Sequence, residues 1–168
     1  MGKIRIAGIV NDSIVDGPGI RLAVFTQGCA HNCPGCHNPE THDFSKGYDE
    51  DIDKIIKMAL QNPLLSGVTL TGGDPLYQID ACLELAYKLS GHGLSLIVYT
   101  GFTWEEIMKL RKENENLDRL LHEVDYIIDG PFHLEERDIS LRFRGSTNQR
   151  IIDVKKSLHE NQMVLVTW

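Results

Sequence analysis

The chain has no lysine–arginine block, no long apolar run and no internal repeat, and each lack argues against a class of function. Lysine and arginine number 17 against 24 aspartate and glutamate, a net charge of −7 over 168 residues. Nucleic-acid binding as a main activity needs a concentrated basic surface and is not expected. No apolar stretch approaches the roughly 20 residues that cross a bilayer, and the start, Met1-Gly-Lys-Ile-Arg-Ile6, carries no leader core. Met1-Gly2 opens a myristoylation pattern, but Ile6 stands where Ser or Thr is required. A cytoplasmic protein without membrane contact is the expectation. The length suits one domain, residues 1–168, able to bury its own core.

Cysteine is scarce and unevenly placed. Three of the four lie in Cys29-Ala-His-Asn-Cys33-Pro-Gly-Cys36, and Cys82 stands apart. Clustered cysteines in a chain expected to be cytoplasmic point to metal rather than disulfides. Three thiolates can hold three corners of an iron–sulfur cube and leave the fourth iron open for chemistry. The competing reading is a closed zinc site completed by His31, His37 or His42, although no second C-x2-C knuckle exists to pair with the first. Cys82 falls at helical spacing with Ile79, Leu83 and Ala86 and reads as a core thiol. His92, His122, His133 and His159 carry no spacing signal and read as surface residues.

The pattern along the chain alternates strand and helix. Strands are expected over Ile4 to Val10, Arg21 to Gln27, Gly67 to Thr71, Leu94 to Thr100, Tyr126 to Asp129, Arg150 to Val154 and Met163 to Thr167. Ile52, Ile55, Ile56, Ala59 and Leu60 predict an amphipathic helix from Asp51, and a second helix runs from about Gln78 to Ser90, closed by Gly91. Thr103-Trp-Glu-Glu106 is a capping box opening another. The class is α/β with a mainly parallel sheet, and four or more βα steps suggest an open, partial parallel β/α barrel. Several strands end in glycine-bearing turns: Gly28-Cys29, Gly72-Gly73-Asp74, Thr100-Gly101 and Asp129-Gly130-Pro131. In parallel folds such turns share the rim where ligands bind. Asp129 reads either as a pocket residue or as a helix cap. Arg142, Arg144 and Arg150 form either a solvated face or a surface for an acidic partner or substrate carboxylate.

The C-x3-C-x2-C loop followed by Thr71-Gly-Gly-Asp-Pro75 resembles the radical S-adenosylmethionine superfamily. Asp16-Gly-Pro-Gly-Ile-Arg21, Cys33-Pro-Gly-Cys36-His-Asn38, Tyr99-Thr-Gly101, Asp129-Gly-Pro-Phe132 and Arg144-Gly-Ser-Thr-Asn-Gln-Arg150 are similar to the glycyl-radical activating enzymes within it. All but the first of these runs, with Thr71–Pro75, resemble the activases of anaerobic ribonucleoside-triphosphate reductase, and the similarity covers about Ile9 to Val154.

The resemblance implies an oxidoreductase akin to the formate C-acetyltransferase-activating enzyme. It implies that Cys29, Cys33 and Cys36 hold a [4Fe–4S] cluster and that S-adenosylmethionine chelates the open iron. Reduction then yields a 5′-deoxyadenosyl radical, which takes a hydrogen atom from a glycine near the C-terminus of the reductase large subunit. A flavodoxin-like, low-potential donor supplies the electron. No side chain is assigned a catalytic role. The implied cosubstrate contacts are Gly35, Cys36, His37, Gly72, Gly73 and Asp74. Many superfamily members carry an aromatic residue where this chain has Gly35, so His37 is the candidate planar contact. Many carry Glu at position 74, so the carboxylate offered to the amino group is one methylene shorter here. Two other readings remain open: an enzyme acting on another glycyl-radical protein or a small molecule such as a modified purine precursor, and a non-catalytic zinc or iron–sulfur module.

Overall fold

Unbroken runs of Val, Leu, Ile and Thr between glycine-bearing turns form the strands buried on both faces. The computed structural model describes residues 2–168; Met1, the first residue of the Met-Gly start, lies outside them. In chain order the elements are β1 (Lys3–Ser13), β2 (Arg21–Thr26), β3 (Tyr48–Asp51), α1 (Ile52–Gln61), β4 (Gly67–Gly72), α2 (Ile79–Leu89), β5 (Ser95–Tyr99), α3 (Trp104–Leu110), α4 (Glu115–Glu123), β6 (Tyr126–Asp129), β7 (Arg150–Asp153) and α5 (Val154–Glu160). The strands make one seven-stranded sheet in the order β3-β1-β2-β4-β5-β6-β7.

The parallel expectation holds for β2, β4, β5 and β6, while β1, β3 and β7 join antiparallel at the two sides. The sheet is therefore mixed. Sequence reading missed β3, whose Tyr-Asp-Glu-Asp has no apolar alternation because it is an edge strand facing water. It also missed α4 and α5, short helices capped by Asn114 and Asp153. Met163 to Thr167, expected as a strand, makes only an isolated bridge through Leu165 to Ile152. Gly91 closes α2 at φ +83°, and Thr103 and Glu106 cap α3 reciprocally, a device that contributes about 1 kcal/mol. Among the described residues, no helix is long and apolar enough to cross a membrane.

Alternation divides the sheet into two unlike faces. Ile4, Leu22, Val24, Val68, Leu70, Val98, Ile127 and Ile152 turn to one side and bury against apolar residues of all five helices. The other side carries Arg21, Ala23 and Phe25 of β2, in register with Gly67, Thr69 and Thr71 of β4 and continuing to Ser95, Ile97 and Tyr99 of β5. Loops and the C-terminal segment cover this second face. Thr69 Oγ donates to the Asp16 carbonyl at 2.7 Å, Tyr99 Oη donates to the Phe143 carbonyl at 2.5 Å, and Trp168 packs edge-on against Tyr126 and Phe143.

Arg21 closes the lower end of that face, only 1% exposed and with no carboxylate bonded to it. Its guanidinium donates to Thr69 Oγ, Ser95 Oγ and the carbonyls of Pro18, Val68 and Ser95. Burial lowers its pKa to about 10, still charged at neutral pH. Gly67 is required beside it, since a Cβ would lie 2.1 Å from the Ser95 carbonyl and 2.5 Å from the guanidinium. Replacing Arg21 by Ala removes five donors and leaves a cavity; a loss of about 3–5 kcal/mol in urea unfolding is expected.

Candidate functional site

Parallel pairing brings the C-terminal ends of β2, β4, β5 and β6 to one rim, where a cavity of about 750 Å³ opens. Phe25, Thr71, Tyr99 and Ile128 reach it from the loop-covered face, one from each strand. Cys29, Cys33 and Cys36 line it together with His37, Gly72 and Gly73. The cysteine loop and the Gly-Gly turn thus meet as the strand ends suggested.

The cysteine loop is held by its own return. Gly28 and Cys29 donate to the carbonyls of Thr41 and His42, at 2.7 and 3.1 Å, so the loop closes on the turn Pro39–Thr41. Asn32 at φ +53° and Gly35 at φ +73° bend the chain between the cysteines, and the Asn38 amide points at Cys36 Sγ at 3.5 Å. Burial pushes the Cys29 thiol up to about 11, helped by Asp74 and the neighbouring thiols and opposed by the His31 amide. Burial raises Cys36 as well. A metal centre bound here displaces protons as it binds.

The donor set fits a cluster. Ligands of one tetrahedral zinc, at about 2.3 Å from the ion, stand roughly 3.8 Å apart. The three sulfurs do not all gather within 4.8 Å of one another, and His133, Glu135 and Glu136 are the group among the described residues that does. Separate corners of a cube suit this spread and the all-thiol composition.

The double glycine has a packing cause. Gly73 donates to the Thr26 carbonyl at 2.7 Å, and a Cβ on it would lie 2.5 Å from the Gly28 carbonyl oxygen; a Cβ on Gly72, at φ +94°, would meet the backbone of Phe25 and Thr26. Both glycines still border the cavity, as expected. Gly35 and Asp74 do not line it. Gly35 is exposed and turns against Leu134 and Phe132, and Asp74 is fully buried. Its Oδ1 accepts from the Leu76 amide, and its Oδ2 accepts from Thr100 Oγ and the Gly101 amide and meets His31 Nε2.

Of the two readings of Asp129, the structure supports the helix cap. Alternation places it on the helix side, where Oδ2 accepts from the Trp104 amide at 2.8 Å and Arg150 bridges it to Glu105. Ile128 faces the cavity in its place. Arg150 therefore belongs to a salt-bridge network, whereas Arg137, Arg142 and Arg144 line the cavity. Cys82 is buried in the core, its thiol raised to about 12 by desolvation. His92, His122 and His159 are exposed, and half-buried His133 pairs with Glu136. Sequence reading missed Phe25, Tyr99 and Ile128, which a count by twos up each strand would have found, and Phe132, whose ring lies 5.2 Å from that of His37.

A family model described as a 4Fe-4S single cluster domain matches residues 15–152. The anaerobic ribonucleoside-triphosphate reductase-activating protein of Vibrio cholerae is 32% identical over 146 residues, 82% of this chain and 90% of that one. The protein of the same name from Pasteurella multocida is 36% identical with the same shares. That of Enterobacteria phage T4 is 33% identical over 82% of this chain and 86% of its own. The solved structure of QueE from Escherichia coli aligns with 60% of this chain and 54% of that one, at 19% identity and a TM-score of 0.44, too partial a likeness to define the fold.

Gly73→Ala tests the contact between the two rim loops. The Gly28 backbone cannot yield as a side-chain tip would, so a loss of about 2–4 kcal/mol is expected in chemical unfolding, with less iron retained after reconstitution.

Proposed function

The chain belongs to the family of anaerobic ribonucleoside-triphosphate reductase-activating proteins, with a 4Fe-4S single cluster domain, and we propose that it activates such a reductase by installing a glycyl radical. The observation that carries this reading is that three thiols and the glycine-bearing ends of successive parallel strands open onto one cavity. When bound there, a [4Fe–4S] cluster and S-adenosylmethionine supply a one-electron cleavage that releases methionine and leaves a carbon radical able to take a hydrogen atom from glycine.

The chain's own residues hold, orient and enclose. Cys29, Cys33 and Cys36 would hold such a cluster as thiolates. Gly72, Gly73 and the backbone about Cys36 border the space for the cosubstrate, and the rings of His37 and Phe132, tilted 53° to one another, are the aromatic faces within reach of adenine. Phe25, Tyr99 and Ile128 present apolar surface below, which keeps water from the reacting atoms.

The mouth suits a polypeptide. Ile14, Val15 and Ile139 line the cavity yet are 69%, 70% and 88% exposed, a rim free to receive a loop from another chain. The C-terminal glycine loop of the reductase large subunit is the occupant this reading assigns. Residues 1–168 act as one unit, an open, partial β/α barrel built on the parallel strands β2, β4, β5 and β6. A low-potential donor such as flavodoxin provides the electron, and the cytoplasm is where both partners meet.

Anaerobic reconstitution with iron and sulfide, reduction with dithionite, and addition of S-adenosylmethionine and the reductase test the proposal. Wild-type protein is expected to form 5′-deoxyadenosine and a glycyl-radical signal on the reductase. Cys29→Ala, Cys33→Ala and Cys36→Ala each bring both products to background, while Cys82→Ala retains them. Uptake of zinc with no cluster would contradict the reading.

A further inference from the structure

Asp74 lies where many members of the superfamily place a glutamate, yet its carboxylate has no accessible surface. Oδ1 accepts from the Leu76 amide at 3.0 Å and so caps the turn Pro75–Tyr77. Oδ2 accepts from Thr100 Oγ and the Gly101 amide, both at 2.9 Å, and lies 2.6 Å from His31 Nε2. Three donors and the His31 ring surround the carboxylate, one at Oδ1 and three at Oδ2, and burial closes off what is left of Oδ1. A ligand ammonium arriving from the cavity would have to displace one of them.

His31 is the residue this arrangement singles out. It stands between Cys29 and Cys33, and its amide favours the Cys29 thiolate while its ring reaches Asp74. The ring lies over Gly101, where a Cβ would come within 2.5 Å of it, and packs edge-on against Phe102 at 4.7 Å. The loops after β2, β4 and β5 thus meet at one carboxylate oxygen. One side chain thus bonds its own turn at Leu76 and reaches His31.

We propose that Asp74 is a positioning residue, which clamps the cysteine loop through His31 and leaves the cosubstrate's ammonium to other acceptors. The clamp follows from contacts within the chain. The statement about the ammonium rests on the reading of the cavity as a cluster and cosubstrate site. In this account Asp74 and His31 act as one device, and removal of either frees the loop that carries Cys29 and Cys33.

The test uses the full chain carrying His31→Asn, Asp74→Asn or both. Before reconstitution, iodoacetamide labelling of Cys29 is timed by mass spectrometry, with buried Cys82 as the control for intact fold. After reconstitution, the dissociation constant for S-adenosylmethionine is measured anaerobically by equilibrium dialysis. Each single change is expected to speed Cys29 labelling at least about fivefold, and the double change no more than Asp74→Asn alone, because His31→Asn breaks only a bond that Asp74→Asn also breaks. Cys82 stays unlabelled, and the two single variants bind S-adenosylmethionine within about threefold of each other. Additive labelling effects, or binding weakened about thirtyfold or more by Asp74→Asn with His31→Asn unaffected, would overturn the clamp. Should Asp74→Asn expose Cys82, His31→Asn decides alone: unchanged Cys29 labelling overturns the proposal, faster labelling supports it. Wild-type protein that takes up no cluster counts against the cluster reading, while the labelling arm still decides the clamp.

Discussion

The end of β4 has to pass against the backbone of Gly28, and the rim takes its form from that contact. Parallel pairing of β2 with β4 brings Thr26 level with Gly72, so the next residues of the two loops are forced together. Two glycines make the approach sterically possible, and the Thr26 and Gly28 carbonyls then accept from the Gly73 and Asp74 amides. This fixes where Asp74 stands, and Asp74 in turn meets His31 and the end of β5. The cysteine loop, the Gly-Gly-Asp-Pro turn and the Thr100-Gly101 turn are consequences of one close backbone approach.

Buried charge is handled alike at the two ends of the loop-covered face. Arg21 at the lower end has no carboxylate bonded to it, and Asp74 at the rim has no arginine or lysine bonded to it. Each is satisfied by backbone groups and short polar side chains, and Asp74 by His31 as well. Arrangements of this kind are costly to disturb, because removing the charge leaves several buried donors or acceptors unpaired at once. They tie loops to strand ends with more geometric definition than apolar contact gives. The helix-covered face, packed with Ile, Leu and Val, supplies the bulk of the burial, and the other face is left free to carry small and polar residues around a cavity.

Much of this was legible in the residues. Periodicity gave α1 and α2, the Thr103–Glu106 pair gave the start of α3, and the cysteine spacing gave the loop at the end of β2. The antiparallel flanks were not legible, because β3 is an acidic edge strand and β7 reads like any short buried strand. At the site the sequence indicates which turns carry chemistry but not which way a side chain points. Asp129 illustrates this: it ends a rim strand, yet alternation turns it to the helix side, where it caps α3 and binds Arg150. Asp74 occupies the expected motif position, but its bonds depend on His31 and Thr100, residues 43 and 26 positions away. Long-range partners of that kind leave no local pattern.

Transfer of hydrogen from the reductase to the cosubstrate is the central claim, and isotope tracing reads it directly. The reductase is prepared with glycine deuterated at the α-carbon, mixed anaerobically with the reconstituted, reduced protein and S-adenosylmethionine, and the 5′-deoxyadenosine is analysed by mass spectrometry. Deuterium in that product, matched by a glycyl radical on the reductase, is the predicted result. 5′-Deoxyadenosine that forms in the presence of the deuterated reductase yet carries no deuterium would contradict the account.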